Sequence, residues 1–230
     1  YLKNIQYERF DAIDGKKITY DELKKLGYDT DSNWIDPILK TRLTSGEVGC
    51  FLSHYNLWKK CIELDVPICV LEDDGIISGN LFDDMDELLE SYNFIYFGWK
   101  EMEESLPTSD PRFVVPVYPY WTLAYVITPE AAKILVNSEI EQNIIPVDEY
   151  LPLRMKDLNP IAYAENIVNS RGREHSGTDT VVSNRYDYFL DYNVHPITIG
   201  TDHSKCEKLL RSGAKPVSYT HLRAHETKAN

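Results

Sequence analysis

Val66-Pro67-Ile68-Cys69-Val70-Leu71-Glu72-Asp73-Asp74-Gly75 decides the fold, because an apolar run there ends abruptly in three consecutive carboxylates and a glycine. Four apolar residues in succession, Ile68 and Val70 among them, predict a core strand covered on both faces, the pattern of a mostly parallel sheet. Three carboxylates crowded at a strand's carboxyl end repel one another, and a divalent cation is the usual group that relieves this. On an extended strand end Glu72 and Asp74 point one way and Asp73 the other, so the first and third are expected to share a metal ion. The competing reading is a turn or helix start rich in solvated acid.

Composition narrows the class. With 230 residues, 43% hydrophobic and 27% charged, the chain suits a single domain with a substantial core. A net charge of −13 argues against a nucleic-acid surface, which needs clustered Lys and Arg. No apolar run approaches the roughly 18 residues of a membrane span and no signal peptide is visible, so a cytoplasmic protein, with peripheral membrane association left open, is expected. Cys50, Cys61, Cys69 and Cys206 show no C-x-x-C spacing, which predicts neither a zinc site nor a disulfide framework and fits a reducing compartment. The first residue is Tyr1 rather than Met, so the sequence is expected to begin inside a longer reading frame or after a removed segment.

Further elements read as follows. Residues 7–15 suggest a short strand running into a glycine turn, and residues 19–26 a polar helix. Thr44-Ser45-Gly46-Glu47 is a capping box, so a helix starts there. Val48, Phe51, Leu52, Tyr55, Trp58 and Ile62 form one apolar stripe on it, while Cys50, His54, Leu57 and Cys61 form a second, so more than half its girth is buried. Gly46 and Gly49 disfavour helix and point to a close approach to the backbone, anion binding at this helix start included. His54 reads either as a hydrogen-bonded core histidine or as a functional group. Residues 81–92 suggest an acidic helix, 94–98 a buried strand, 101–112 a polar loop, and 113–115, 123–127 and 160–164 further strands. Thr128 caps a helix with Pro129 in its first turn. Strands alternating with helices indicate an α/β sandwich.

A second acidic site lies in Pro146-Val147-Asp148-Glu149-Tyr150-Leu151-Pro152. Asp148 and Glu149 fall at a helix start, where they either serve chemistry or merely complement the helix dipole. His175, in a glycine-containing loop, is a candidate third metal ligand beside Glu72 and Asp74, or simply an exposed histidine.

Four blocks, in order between Arg9 and Pro152, resemble glycosyltransferase family 25. They are Arg9-Phe10-Asp11-Ala12-Ile13-Asp14-Gly15, the segment Gly46-Glu47-Val48-Gly49-Cys50-Phe51-Leu52-Ser53-His54 with Trp58, Leu71-Glu72-Asp73-Asp74, and the Pro146–Pro152 segment. That family includes bacterial lipooligosaccharide galactosyltransferases and collagen hydroxylysine galactosyltransferases. The resemblance implies a GT-A-like, nucleotide-sugar-binding sandwich, a UDP-hexose donor, and Mn²⁺ or another divalent cation at the element occupied by Glu72 to Asp74. It also implies donor-binding roles for Gly46, Glu47, Ser53, His54 and Asp73, and an inverting reaction. The family's first strand, which helps to hold the nucleotide, is expected to lie before Tyr1. Residues 217–227 resemble a peptide translated from adapter DNA and found on unrelated environmental sequences, so residues 1–214 are taken as the single domain and 215–230 as a non-native tail.

The chemistry reads independently of the family. Sugar transfer from a nucleoside diphosphate requires stabilisation of the leaving pyrophosphate, by a cation on Glu72 and Asp74, and removal of the acceptor's proton, by Asp148 or Glu149. The acceptor is expected to be a hydroxyl on a glycan or a hydroxylated protein, galactose or glucose the sugar. A metal-dependent phosphoesterase or nucleotidyltransferase would use the same carboxylates, and a non-catalytic glycan-binding domain is the third possibility.

Overall fold

The two longest strands, β3 (Phe94–Glu103) and β6 (Tyr118–Ile127), lie antiparallel at the heart of a six-stranded sheet. A computed structural model describes residues 7–36, 40–136 and 139–170. In chain order the elements are α1 (Tyr20–Lys25), α2 (Ser45–Leu64), β1 (Ile68–Leu71), β2 (Gly75–Ile77), α3 (Met85–Ser91), β3, β4 (Leu106–Pro107), β5 (Phe113–Val115), β6, α4 (Pro129–Val136), α5 (Val147–Leu158), β7 (Pro160–Tyr163) and β8 (Val168–Ser170). The sheet runs β1-β6-β3-β7-β5-β4, and β2 pairs separately with β8.

The α/β class holds, but the sheet is not mostly parallel. Only β3 and β7 run parallel; β1 with β6, β6 with β3, β7 with β5 and β5 with β4 are antiparallel. An apolar run reports burial and carries no information on its partner's direction, which is where the inference from residues 68–71 failed. β1 is also less covered than its composition suggests: among the described residues it pairs on one side only, Val70 is its one buried residue, and Cys69 is exposed.

Coverage of both faces belongs instead to β3 and β6. Phe94, Tyr96, Tyr125 and Ile127 pack on one side against Phe51, Tyr55 and Trp58 of α2, the Ala131, Ala132 and Leu135 face of α4, and Tyr150 and Leu151 of α5. Their alternates Ile95, Phe97, Ala124 and Val126 pack on the other side with Met85 and Leu88 of α3. Period-two alternation thus feeds two apolar layers, so both strands read as unbroken apolar sequence.

Local signals set the helices. Thr44 Oγ1 accepts from Glu47 N at 3.3 Å while Glu47 Oε2 accepts from Thr44 N at 2.7 Å, so both halves of the capping box form and α2 starts at Ser45. Thr128 Oγ1 caps α4 by accepting from Ala131 N at 3.3 Å. Residues 7–14 form no strand and lead into a 3-10 turn, Gly15–Lys17. The expected loop at 101–112 is partly strand: β3 continues to Glu103, and β6 starts at Tyr118 despite Pro119, which sits opposite Glu101 beside an irregularity in register.

The two glycines at the start of α2 differ. A Cβ on Gly49 would lie 2.5 Å from Ile13 O and 2.6 Å from Gly15 N, whereas one on Gly46 would meet nothing nearer than Thr44 Oγ1 at 3.9 Å. The close approach is therefore made by the chain's own amino-terminal segment. Gly49→Ala should cost about 1–3 kcal/mol through overpacking, while Gly46→Ala should be neutral or stabilise by up to about 1 kcal/mol through helix propensity. Urea denaturation of the two variants tests this; equal stability would mean that residues 13–15 do not pack on α2.

Candidate active site

Glu72 follows directly on β1, and its backbone N–H still donates to Leu123 O of β6 at 2.9 Å. The chain then turns at Asp73 and Asp74, Gly75 N donating to Glu72 O at 3.1 Å, so residues 72–74 do not continue the strand. The period-two argument that aimed Glu72 and Asp74 in one direction therefore does not apply. Glu72 is buried, Asp73 is exposed and Asp74 lies between, where Ser170 Oγ donates to its Oδ2 at 3.5 Å.

The Glu72 carboxyl is held inward. Thr122 Oγ1 of β6 donates to its Oε1 at 2.6 Å, and His54 Nε2 of α2 lies 3.5 Å from the same oxygen. His54 Nδ1 is 2.8 Å from the Tyr125 hydroxyl, which also accepts from Trp58 Nε1 at 3.0 Å. Since the indole can only donate, the Tyr125 proton is left for Nδ1, which puts the imidazole proton on Nε2, facing Glu72. Burial pulls the His54 pKa down to about 3 and pushes the Glu72 carboxyl up to about 8, helped by the charges of Asp74 and Asp73 and opposed by the Thr122 hydrogen bond. Both groups are thus neutral at neutral pH, and the contact is not an ion pair.

The first turn of α5 brings the second acidic site against the first. Glu149, 1% exposed, accepts from the Tyr118 hydroxyl on Oε2 at 2.7 Å and from the Tyr120 hydroxyl on Oε1. Asp148 is buried too, but its Oδ1 has no hydrogen-bond partner. Burial raises the Asp148 pKa well above the ordinary carboxylate range, and the neighbouring charges of Glu72, Glu149 and Glu47 add to the effect. The Glu47 carboxyl is likewise pushed up to about 7, burial outweighing the hydrogen bonds from Thr44. Glu47, Glu72, Asp148 and Glu149 therefore share one desolvated, mutually repelling environment.

Of the residues expected to serve the donor, His54 and Glu47 reach this cluster, the latter as the cap of α2. Ser53 ties the amino-terminal segment to α2, its Oγ accepting from Ile13 N at 2.8 Å and donating to Gly49 O at 2.7 Å. Gly46 meets no close neighbour and Asp73 lies apart at the surface. His175 lies outside the described residues. Among the described residues no three His, Cys, Asp or Glu side chains converge as a metal-ligand group. Asp73, exposed, and Asp74, whose Oδ1 is buried without a hydrogen bond, remain as hard oxygen donors at the turn, a set that suits a hard divalent cation. Tyr118, Tyr120 and Thr122 were missed; the signal available was their polar-tipped alternation on one face of a strand.

The chain belongs to glycosyltransferase family 25: the model of "Glycosyltransferase family 25 (LPS biosynthesis protein)" matches residues 1–151. It is 34% identical over 183 residues to a human protein named procollagen galactosyltransferase 2, an alignment covering 74% of this chain and 29% of that protein. A protein of Aedes aegypti named glycosyltransferase 25 family member is 29% identical over 89% of this chain and 37% of its own length. A bovine protein named probable inactive glycosyltransferase 25 family member 3 is 35% identical over 65% of this chain and 27% of its own. The chain thus spans between about a quarter and two fifths of the length of these relatives. No helix among the described residues is long and apolar enough to cross a membrane.

The raised carboxyl pKa values have a thermodynamic consequence. A group whose folded pKa lies above its unfolded value stabilises fully below the unfolded value, and that contribution is lost as pH rises through the folded one. For Glu47 and Glu72 the loss runs from about pH 4.5 to about 7 and about 8. His54, with its pKa depressed, acts oppositely: its contribution is complete above about pH 6.5 and lost on acidification towards about 3. Melting temperature should therefore fall from about pH 6.5 to about pH 8.5, and Glu72→Gln, which resembles the protonated acid, should make that fall shallower. An unchanged slope in the variant would show that Glu72 does not titrate in this window.

Proposed function

We propose that this chain is the catalytic domain of an inverting, GT-A-type glycosyltransferase that moves a hexose from a UDP-hexose to a hydroxyl on a glycan or protein. The observation that carries the assignment of roles is the buried, unpartnered Oδ1 of Asp148 beside a Glu149 whose two oxygens both accept from tyrosines. Asp148 is the base and Glu149 the fixed neighbour that holds the first turn of α5 against β6. The acceptor oxygen attacks the anomeric carbon as its proton passes to Asp148 Oδ1, and the bond from that carbon to the β-phosphate oxygen breaks, with the electron pair leaving on UDP. A carboxylate whose pKa is raised by burial is a stronger base once ionised than an ordinary one, which suits general-base catalysis.

Asp74, with Asp73 beside it, would hold a divalent cation such as Mn²⁺, which when bound would supply Lewis-acid charge to the leaving diphosphate. Glu72, bonded to Thr122 and 3.5 Å from His54 Nε2, fixes the end of β1 from which that turn departs. The name of the human relative supports galactose as the hexose and a collagen-type protein as the acceptor. The name of the bovine relative favours a second reading, a domain that keeps the fold and binds sugar without turnover.

Assays of UDP release from a panel of UDP-hexoses with Mn²⁺ and hydroxyl acceptors separate the readings. Turnover with intact UDP as product is expected; UDP binding without turnover would favour the inactive reading, and free phosphate or pyrophosphate a phosphoesterase or nucleotidyltransferase. Asp148→Asn should lower turnover by about 10²–10⁴-fold with UDP affinity nearly unchanged. Glu149→Gln should instead cost about 1–3 kcal/mol of stability by disturbing the buried Tyr118 and Tyr120 hydrogen bonds. If Asp148→Asn retains parental turnover, Asp148 is not the base.

A further inference from the structure

β6 contains a strained residue whose side chain the proposed chemistry does not use. Trp121 adopts φ +69°, the left-handed region, where a bulky aromatic is an outlier costing on the order of 1–3 kcal/mol. The strain sits in a bulge: from Tyr120 to Ala124 β6 advances four residues, while β3 advances two between their partners Lys100 and Gly98. Bulges of this kind re-aim side chains and concentrate beside functional sites. Here Tyr120 reaches Glu149 on one side of the bulge and Thr122 reaches Glu72 on the other.

The indole between them is half-buried against the Tyr118 and Tyr120 rings, and its Nε1–H has no hydrogen-bond partner. Over its face lies the Lys100 ammonium, 5.7 Å from the ring centroid, on the β3 residue paired with Tyr120. Among the described residues no ion pair joins Lys100 to a carboxylate, although the chain carries 37 acidic residues against 24 Lys and Arg. Partial burial lowers the Lys100 pKa, so its charge is incompletely solvated. The ammonium thus sits on the strand pair whose Tyr120 bonds Glu149, and the indole N–H beneath it is buried without an acceptor. A diphosphate entering the candidate site meets repulsion from the carboxylates, and an ammonium is the group that offsets it.

We propose that Lys100, held on the strained Trp121 indole, is the anion receptor of this site and takes a phosphate oxygen of the nucleoside diphosphate. Trp121 is the positioning residue: the cation–π contact orders the lysine stem, so less freedom is lost when the phosphate arrives. This rests on the donor assignment above and adds the group that recognises the donor's charge.

The test titrates the full chain with UDP, and separately with inorganic pyrophosphate, at fixed Mn²⁺ and over a range of NaCl concentrations. Binding is followed by calorimetry and by tryptophan fluorescence, which suits the question because Trp34, Trp58 and Trp99 are buried while Trp121 is half-exposed. Lys100→Met should melt within a few degrees of the parent, weaken both ligands by about ten-fold or more, and reduce the salt dependence of UDP binding. Lys100→Arg should restore much of the loss, and Trp121→Leu should weaken UDP several-fold and abolish most of the fluorescence change. If the parent binds UDP and Lys100→Met binds it equally well with the same salt dependence, Lys100 is not the receptor and the proposal falls alone. If the parent binds neither UDP nor pyrophosphate, the donor assignment and this proposal fall together.

Discussion

Desolvation of carboxylates is the constraint on which the site depends. Glu47, Glu72, Asp148 and Glu149 are all buried, brought there by three different features of the fold. Glu47 closes the cap of α2, Glu72 is carried inward at the end of β1, and Asp148 and Glu149 enter with the first turn of α5 as it packs on β6. None would be stable there as an isolated charge, so the surrounding hydroxyls and the imidazole are a requirement of folding before they are a device for chemistry. The hydrogen bonds from Trp58 and His54 to the Tyr125 hydroxyl, with His54 Nε2 in contact with Glu72 at 3.5 Å, span α2, β6 and the end of β1. They fix the relative placement of three elements whose apolar contacts alone would tolerate sliding.

What was legible in the sequence was local. The capping box at Thr44 and Glu47, the stripes of α2 and the cap of α4 follow from spacings of three and four residues, and the structure reproduces them. Strand direction was not legible, because the pairings of β6 with β1 and β3 are made between segments far apart in the chain, whose composition is the same for either orientation. The Glu72 side chain was misplaced for a related reason: alternation was extended past Leu71 into a stretch that Gly75 closes as a turn. Ser53, read from the sequence as a site residue, ties residue 13 to α2, a contact that no local spacing could show.

Asp148 and Glu149 show why adjacency in sequence leaves roles undecided. Successive residues on a helix point about 100° apart, so one of the two can face β6 while the other does not. Which one does is set by Tyr118 and Tyr120, about thirty residues upstream: Glu149 meets both hydroxyls and Asp148 meets neither. The strain at Trp121 belongs to the same arrangement. A regular β6 would keep its pairing with β3, whereas the bulged strand delivers Tyr120 and Thr122 to two different carboxylates a few residues apart.

These carboxylates persist together because they need not all be charged. Burial and neighbouring charge push the carboxyls up, to about 7 for Glu47 and about 8 for Glu72 and above the ordinary range for Asp148, so Glu72 is mostly protonated at neutral pH. Neighbouring charge contributes to each shift: Glu72, Glu149 and Glu47 raise Asp148, while Asp36 and Glu149 raise Glu47. The −13 of the whole chain thus overstates the negative charge at this place. No Lys or Arg pairs with Glu47, Glu72 or Asp148 among the described residues, and protonation is what makes that arrangement compatible with a folded core.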